Sequence, residues 1–280
     1  MMLSEKILQQ LAVLKQKKTA GTLQDFLIAG LNSSKADDFY ELQGTAYLRS
    51  HKYEKAIQCF NKLSKNFKFW TNDIGEWDNK IEKFKIIGAY YANPFIETYK
   101  DYPKKYLRKN NGINKKTFAQ EMLRLQKLTV SDSKNSAIYY YQMANAVYQT
   151  GEFGNAWHFI SYDSKVFKHP EFSYNYNNDY KLAATAKDWY AKARSLNNDQ
   201  NFKAKCTYMI AKCEQKKILV AYNNLTWTDT DNYEKDMANQ FAKFKQMMND
   251  NAYYKELKQY SKTQAYKTAV NECSYLKDFL

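Results

Sequence analysis

Residues 40–60 read YELQGTAYLRSHKYEKAIQCF, and this stretch decides the fold that the sequence predicts. Small and aromatic residues recur in it at offsets of +4, +3, +6, +3 and +4, at Tyr40, Gly44, Tyr47, Tyr53, Ala56 and Phe60. The spacing predicts one helix up to the polar turn near His51 and a second helix after it. Because Gly44 and Ala56 are small, the two helices can approach closely while the aromatic rings fill the space around the contact.

A second stretch repeats all five offsets, at Tyr140, Ala144, Val147, Phe153, Ala156 and Ile160. Gly151 falls in the turn between its two predicted helices. A third region predicts helices over about 180–196 and 202–216 and carries a degenerate form of the pattern. Residues 37–66 and 137–163, and more weakly 180–216, therefore resemble tetratricopeptide (TPR) units, helix-turn-helix repeats of about 34 residues that stack on one another.

The composition favours long helices over strands. The chain has 280 residues but only 8 Gly and 3 Pro, and β-hairpins and bulges need such residues at their turns. The resemblance implies an all-α fold in one domain over residues 1–280, a TPR-like solenoid of antiparallel helix pairs. Two aromatic-rich irregular insertions interrupt it, at 67–112 and 162–179, and helices within 230–280 cap its C-terminal end.

The formal net charge of +14 predicts attraction to acidic partners, anionic lipid or nucleic acid. The densest basic group interleaves with aromatic residues: Lys100, Lys104, Lys105, Arg108 and Lys109 lie beside Tyr99, Tyr102 and Tyr106. Such interleaving can bind a single strand through phosphate contacts and stacking, while a solvated loop or helix end is the plainer interpretation.

The four cysteines, Cys59, Cys206, Cys213 and Cys273, form no C-x-x-C pair, so the sequence predicts neither a zinc site nor a thioredoxin-like redox pair. Each lies near small or apolar residues at core-like spacing. We expect four buried free thiols, which is compatible with a reducing compartment.

The sequence carries no recognisable catalytic motif. It has three histidines, none in H-E-x-x-H or H-x-H spacing, and it has no Walker loop, no G-x-S-x-G elbow and no dinucleotide-binding glycine motif. We therefore expect no metal, no cofactor and no catalytic residues, and a protein that is not an enzyme.

No apolar stretch reaches the roughly 20 residues that cross a bilayer, and no signal-peptide pattern opens the sequence. The default expectation is a cytoplasmic protein, unless the sequence is a fragment of an exported one.

The TPR resemblance implies a concave groove, lined by the first helix of each unit, that holds a peptide or protein segment. By that resemblance the candidate partner-binding residues are Phe39, Gln43, Tyr47, Tyr139, Met143 and Asn145. An alternative is capture of a glycan or small ligand at the cell envelope, for which the candidate stacking residues are Trp70, Trp77, Tyr91, Tyr99 and Trp227. Nucleic-acid binding through the basic aromatic group is a second alternative.

Overall fold

The computed structural model describes residues 5–16, 25, 28–29, 31, 35–67, 69, 93–97, 99, 113–152, 154, 156–162, 177–223, 233–273 and 276–279. Across this part of the chain the regular structure is helical and contains no strand, as the fold class predicts. Most of both proposed insertions lies outside the described residues.

The helices, numbered here in chain order, are α1 Glu5–Gln16, α2 Ala36–Arg49, α3 Tyr53–Phe60, α4 Lys115–Ser131, α5 Ser136–Thr150, α6 Asn177–Tyr180, α7 Ala184–Ser195, α8 Gln200–Asn223, α9 Tyr233–Asn249, α10 Ala252–Leu257 and α11 Gln264–Glu272. Short 3₁₀ helices occur at Ser133–Asn135, Trp157–Phe159, Lys258–Tyr260 and Leu276–Asp278.

The chain divides into two compact units. The first combines Met1–Asn93, Arg108–Arg124 and His158–Lys168, and the second combines Pro94–Leu107, Leu125–Trp157 and His169–Leu280. Helix α4 contributes its first part to unit 1 and its last part to unit 2, and the chain passes from unit 2 to unit 1 between Trp157 and His158.

In unit 1, α2 and α3 form the predicted helical hairpin. A methyl group added at Gly44 would lie 2.3 Å from Cε1 of the Phe60 ring, so the small residue is what allows this approach. Ala56 and Tyr53 are buried at the same contact. The turn between the helices places His51 at φ 56°, in the left-handed region, and the His51 ring nitrogen lies 2.8 Å from the hydroxyl of Tyr53.

Two aspartates, Asp37 and Asp38, occupy the first turn of α2. The Asp38 carboxylate accepts a hydrogen bond of 2.9 Å from the backbone N–H of Lys35, and Asp37 accepts bonds from the backbone and the hydroxyl of Ser64, beyond α3. The bonds from Ser64 lower the pKa of Asp37. Both carboxylates complement the positive end of the helix dipole, and Asp37 also ties the two ends of the hairpin together.

The second stretch does not form the helix pair that its spacing predicts. Helix α5 is present, but the described residues between 151 and 162 contain turns and the 3₁₀ helix Trp157–Phe159 and no α-helix. The chain folds back on α5 instead: the N–H of Ala156 donates to the carbonyl of Gln149 at 2.9 Å. A methyl group at Gly154 would lie 2.0 Å from that carbonyl oxygen, so the return requires glycine.

Helix α7 packs against both α5 and α8, and α9, α10 and α11 each pack against α8. The α7–α8 pair corresponds to the predicted third region, whose two helices are confirmed. Alanines make these contacts close, and Ala144, Ala186 and Ala193 are all fully buried. The side chain of Asn251, at the start of α10, donates to the carbonyl of Ala211 in α8 and fixes the two helices together.

The prediction of buried free thiols is confirmed, since all four cysteines are buried and none is in a disulfide. Burial raises the pKa of Cys213 to about 12 and also raises the pKa of Cys206, so both remain uncharged thiols.

Candidate functional site

A polar face on unit 2 holds a short non-helical segment of the chain. We define the α5–α8 face by five side chains: Tyr141 and Asn145 on α5, and Lys205, Tyr208 and Lys212 on α8. The segment that lies on it is residues 94–99, in which Pro94 and Phe95 form a turn and Thr98 lies outside the described residues. Three kinds of contact join the face to the segment.

The first contact binds backbone. The amide nitrogen of Asn145 donates to the carbonyl of Phe95 at 3.2 Å, and the amide oxygen of Asn145 accepts from the hydroxyl of Tyr190 at 2.7 Å. Asn145 is 2% exposed and Tyr190 is fully buried. Because Tyr190, on α7, uses the oxygen of the amide, its nitrogen is directed at the segment.

The second contact binds a carboxylate. The hydroxyl of Tyr141 donates to one oxygen of Glu97 at 2.7 Å, and the ammonium of Lys205 donates to the other at 2.8 Å. Burial, with the charge of Glu97, raises the pKa of Tyr141 well above that of a free phenol, so the hydroxyl keeps the proton that it donates. Both oxygens of one carboxylate are therefore satisfied by groups from two different helices.

The third contact combines backbone binding with aromatic packing. The hydroxyl of Tyr208 donates to the carbonyl of Tyr99 at 2.8 Å, and Nζ of Lys212 lies 3.4 Å from the same oxygen. The rings of Tyr99 and Tyr208 pack with their centroids 5.4 Å apart. Burial, with the nearby Glu97 carboxylate, raises the pKa of Tyr99, so it remains a neutral phenol.

Helical spacing produces this face. Tyr141 and Asn145 are four apart on α5, and Lys205, Tyr208 and Lys212 follow at +3 and +4 on α8, so each set lies along one side of its helix. The α5–α8 face is thus a consequence of two polar and aromatic stripes.

Unit 1 contains a different polar group, fully enclosed. The ammonium of Lys115, on α4, is 2.5 Å from a carboxylate oxygen of Glu41 and 2.9 Å from the hydroxyl of Thr45, both on α2. The hydroxyl of Tyr162 donates to the other oxygen of Glu41, and the Tyr162 ring lies 4.3 Å below the ammonium. Lys115 is 0% exposed. We call these four residues the buried ionic cluster.

The residues around the buried ionic cluster hold the chain at 158–162. Nε of Arg49 donates to the carbonyl of Ile160 at 2.5 Å, and the ring of Phe159 stacks on that of Phe118. Burial, followed by the charge of Lys115, lowers the pKa of His158 to about 3, so this histidine is neutral at physiological pH. The arrangement is a compensated charge pair inside a packed core, and it gives a substrate no direct approach to the amine.

The structure places the predicted partner-binding residues of the first stretch against other parts of unit 1. The Tyr47 hydroxyl accepts from the side chain of Gln9 at 2.8 Å, Phe39 lies under the ammonium of Lys15, and Gln43 accepts from the thiol of Cys59. Helices α1 and α3 thus contact the side of α2 that the TPR resemblance assigned to a ligand.

Of the three predicted partner-binding residues of the second stretch, one contacts the 94–99 segment through a hydrogen bond. The Tyr139 hydroxyl donates to Asp132 at 2.6 Å, and Met143 is buried in the core at 1% exposure. Asn145, in contrast, binds the backbone of the segment. Of the predicted stacking aromatics, the structure describes Tyr99, which belongs to the bound segment. The others, Trp70, Trp77, Tyr91 and Trp227, lie outside the described residues, as does the basic group at 100–109.

The predicted site residues did not include Tyr141, Lys205 or Tyr208. A signal was present, because Lys205, Tyr208 and Lys212 follow one another at +3 and +4 along one side of α8. The buried ionic cluster was also missed, although Glu41 and Thr45 are four apart on the side of α2 that the aromatic spacing leaves unassigned.

No described helix is both long enough and apolar enough to span a membrane, and no group of three or more His, Cys, Asp or Glu side chains in this part of the chain is placed to hold a metal ion. Comparison with protein-family models, curated proteins and solved structures gives no significant match to this chain.

Proposed function

We propose that this protein is a non-catalytic interaction protein, a TPR-like scaffold that binds a short segment of a partner polypeptide on the α5–α8 face. The observation that carries the proposal is the set of contacts to residues 94–99. Asn145 and Tyr208 bind backbone carbonyls, which every peptide has, and Tyr141 with Lys205 binds one side chain.

The chemistry of these contacts suits a polypeptide ligand. Backbone carbonyls at Phe95 and Tyr99 accept hydrogen bonds from two buried side chains of the face, Asn145 and Tyr208. Contacts to the main chain provide affinity, and contacts to alternate side chains provide specificity. A buried donor left without an acceptor costs about 1–3 kcal/mol, so the face favours an occupant that supplies carbonyl groups.

A non-catalytic role fits the ionisable groups of both units. The buried ionic cluster pairs Lys115 with Glu41 in a closed core, and burial keeps Cys206 and Cys213 protonated. Neither arrangement gives an accessible nucleophile with an adjacent base.

A randomised peptide library displayed on phage tests the proposal. We expect the wild-type protein to enrich a set of peptides, and the double variant Asn145→Ala, Tyr208→Phe to bind the same peptides at least tenfold more weakly, since it lacks two donors. Lys203→Glu is the matched control, because Lys203 lies about 200° around α8 from Lys205 and should leave binding unchanged. Failure to enrich any peptide, or equal binding by the double variant, would contradict the proposal.

A further inference from the structure

We infer that the partner segment carries a carboxylate at the position of Glu97, and that residues 94–99 compete with it for the α5–α8 face as an intramolecular ligand. This inference rests on the proposed function and specifies its ligand as an acidic peptide. The inference also implies regulation, because residues 94–99 occupy the face until an acidic partner segment that binds more tightly displaces them.

Both helices of the face bind the same side chain of the segment, the carboxylate of Glu97. Tyr141 reaches Glu97 from α5 and Lys205 reaches it from α8, one to each oxygen. Ile96, the neighbouring residue, is 52% exposed. The bonds to Phe95 and Tyr99 go to carbonyl oxygens and are the same for any sequence.

The charge of the face favours an anionic ligand. Beyond Lys205 along α8, Lys212 is 1% exposed, and its ammonium lies 5.9 Å from the centroids of the Tyr148 and Tyr208 rings. Lysine ammonium groups brought out of water raise the local positive potential, and an approaching carboxylate is attracted by it.

Exchange of one carboxylate for another is feasible at this site. The side chains of Lys205 and Glu97 are 30% and 25% exposed, so their ion pair is reached by solvent. Pairs of this kind contribute little to stability compared with enclosed pairs, because water competes for both charges. The Lys115–Glu41 pair of unit 1, with exposures of 1% and 8%, is the enclosed counterpart and is not exchangeable in this way.

The test uses fluorescein-labelled peptides with the sequence of residues 94–99, carrying Glu, Gln or Lys at the position of Glu97, and fluorescence anisotropy. We expect Glu97→Lys protein to bind the Glu peptide about tenfold more tightly than wild type does, since its own segment is repelled by Lys205. The same variant should bind the Gln peptide about threefold more weakly than the Glu peptide, because the lost ion pair is one that solvent reaches. Lys205→Glu should reverse the preference and bind the Lys peptide better than the Glu peptide.

Two controls separate recognition from folding. Lys203→Glu makes the same charge change on the same helix, about 200° away, and should retain the wild-type preference for the Glu peptide. Circular dichroism confirms that each variant is folded. If Glu97→Lys does not fold, Glu97→Gln replaces it, with an expected gain of about threefold, because it removes the charge without introducing repulsion.

Each result supports or overturns a defined part of the inference. Equal affinity of Glu97→Lys for the Glu and Gln peptides would refute carboxylate recognition, and equal affinity of wild type and Glu97→Lys for the Glu peptide would refute competition. If library peptides bind through Asn145 and Tyr208 but these peptides do not, the inference fails while the proposed function stands. If neither binds, both fail.

Discussion

Residues 40–60 and residues 140–160 begin alike and then diverge. In each, an α-helix runs to a turn near the eleventh residue, α2 to His51 and α5 to Gly151. After the turn, the first stretch forms α3, while the second returns against α5 and continues as the 3₁₀ helix Trp157–Phe159. Their small and aromatic positions have the same spacing, so spacing does not decide the difference.

Residue type decides it. The second half of the first stretch is YEKAIQCF, which is rich in good helix formers, whereas the corresponding half of the second is FGNAWHFI. Gly, Asn, His and aromatic residues disfavour helix by up to about 1 kcal/mol each. The buried positions are kept all the same, because Ala156 is 0% exposed and Ile160 is 6% exposed. In the second stretch the spacing therefore predicts the burial of Ala156 and Ile160 correctly, although the helix that it predicts there does not form.

The largest expected effect comes from the buried ionic cluster, which contacts the end of the second stretch. Lys115→Met leaves Glu41 charged in the core, and we expect the free energy of unfolding of unit 1 to fall by about 3–5 kcal/mol. Urea denaturation followed by circular dichroism measures it. Lys116→Met, at the next residue, is the control, and adding Glu41→Leu to Lys115→Met should recover most of the loss.

A smaller effect is expected at two glycines, Gly154 in the second stretch and Gly44 in the first. Gly154→Ala places a methyl group against a backbone carbonyl. We expect the free energy of unfolding, measured by thermal denaturation, to fall by about 3 kcal/mol. Gly44→Ala meets the ring of Phe60, a side chain, instead of backbone, and alanine favours helix, so we expect a smaller net loss, about 1–2 kcal/mol. An equal loss in both variants would show that the return at Gly154 is not as tight as the structure indicates.

The third prediction concerns pH and again involves the end of the second stretch. Burial holds the pKa of His158 at about 3, compared with 6.5 for a free histidine. Below about pH 6.5 the unfolded chain binds a proton that the folded chain does not, so stability falls as pH falls through this window. Between pH 7 and pH 5 we expect His158 to account for a loss of about 2 kcal/mol. Urea titrations at pH 7 and pH 5 should show a smaller loss of unfolding free energy for His158→Gln than for wild type. An equal loss in both proteins would contradict the assignment to His158.

The smallest effect is expected in the two turns. His51 has φ 56°, whereas Gly151, at the corresponding position, has φ −71°, which any residue can adopt. We expect His51→Gly to stabilise the protein by up to about 1 kcal/mol, reduced by loss of the contact with Tyr53. Gly151→Ala should destabilise it, because its methyl group would lie 3.0 Å from the Tyr180 carbonyl. Differential scanning calorimetry of both variants would resolve the opposite signs.

In the candidate site, too, a sequence pattern identifies some residues, while the role of others depends on distant contacts. Asn145 was selected by resemblance to TPR grooves and does bind a peptide backbone, but that backbone belongs to residues 94–99 of the same chain. Tyr141 and Lys205 were not selected, because their role depends on Glu97, which lies 44 and 108 residues away in the sequence. A hydrogen bond over such a separation leaves no local period to detect.

The sequence by itself determined the helical composition, the α2–α3 hairpin with its Gly44 contact, the helices α7 and α8 and the burial of four thiols. These follow from short-range periodicity, helix propensity and the apolar character of the residues. The tertiary structure alone decided that residues 158–162 join α2 and α4, that Lys115 meets Glu41, and that Glu97 lies between α5 and α8. Those choices depend on which distant surfaces meet, and a local pattern satisfies several such pairings equally well.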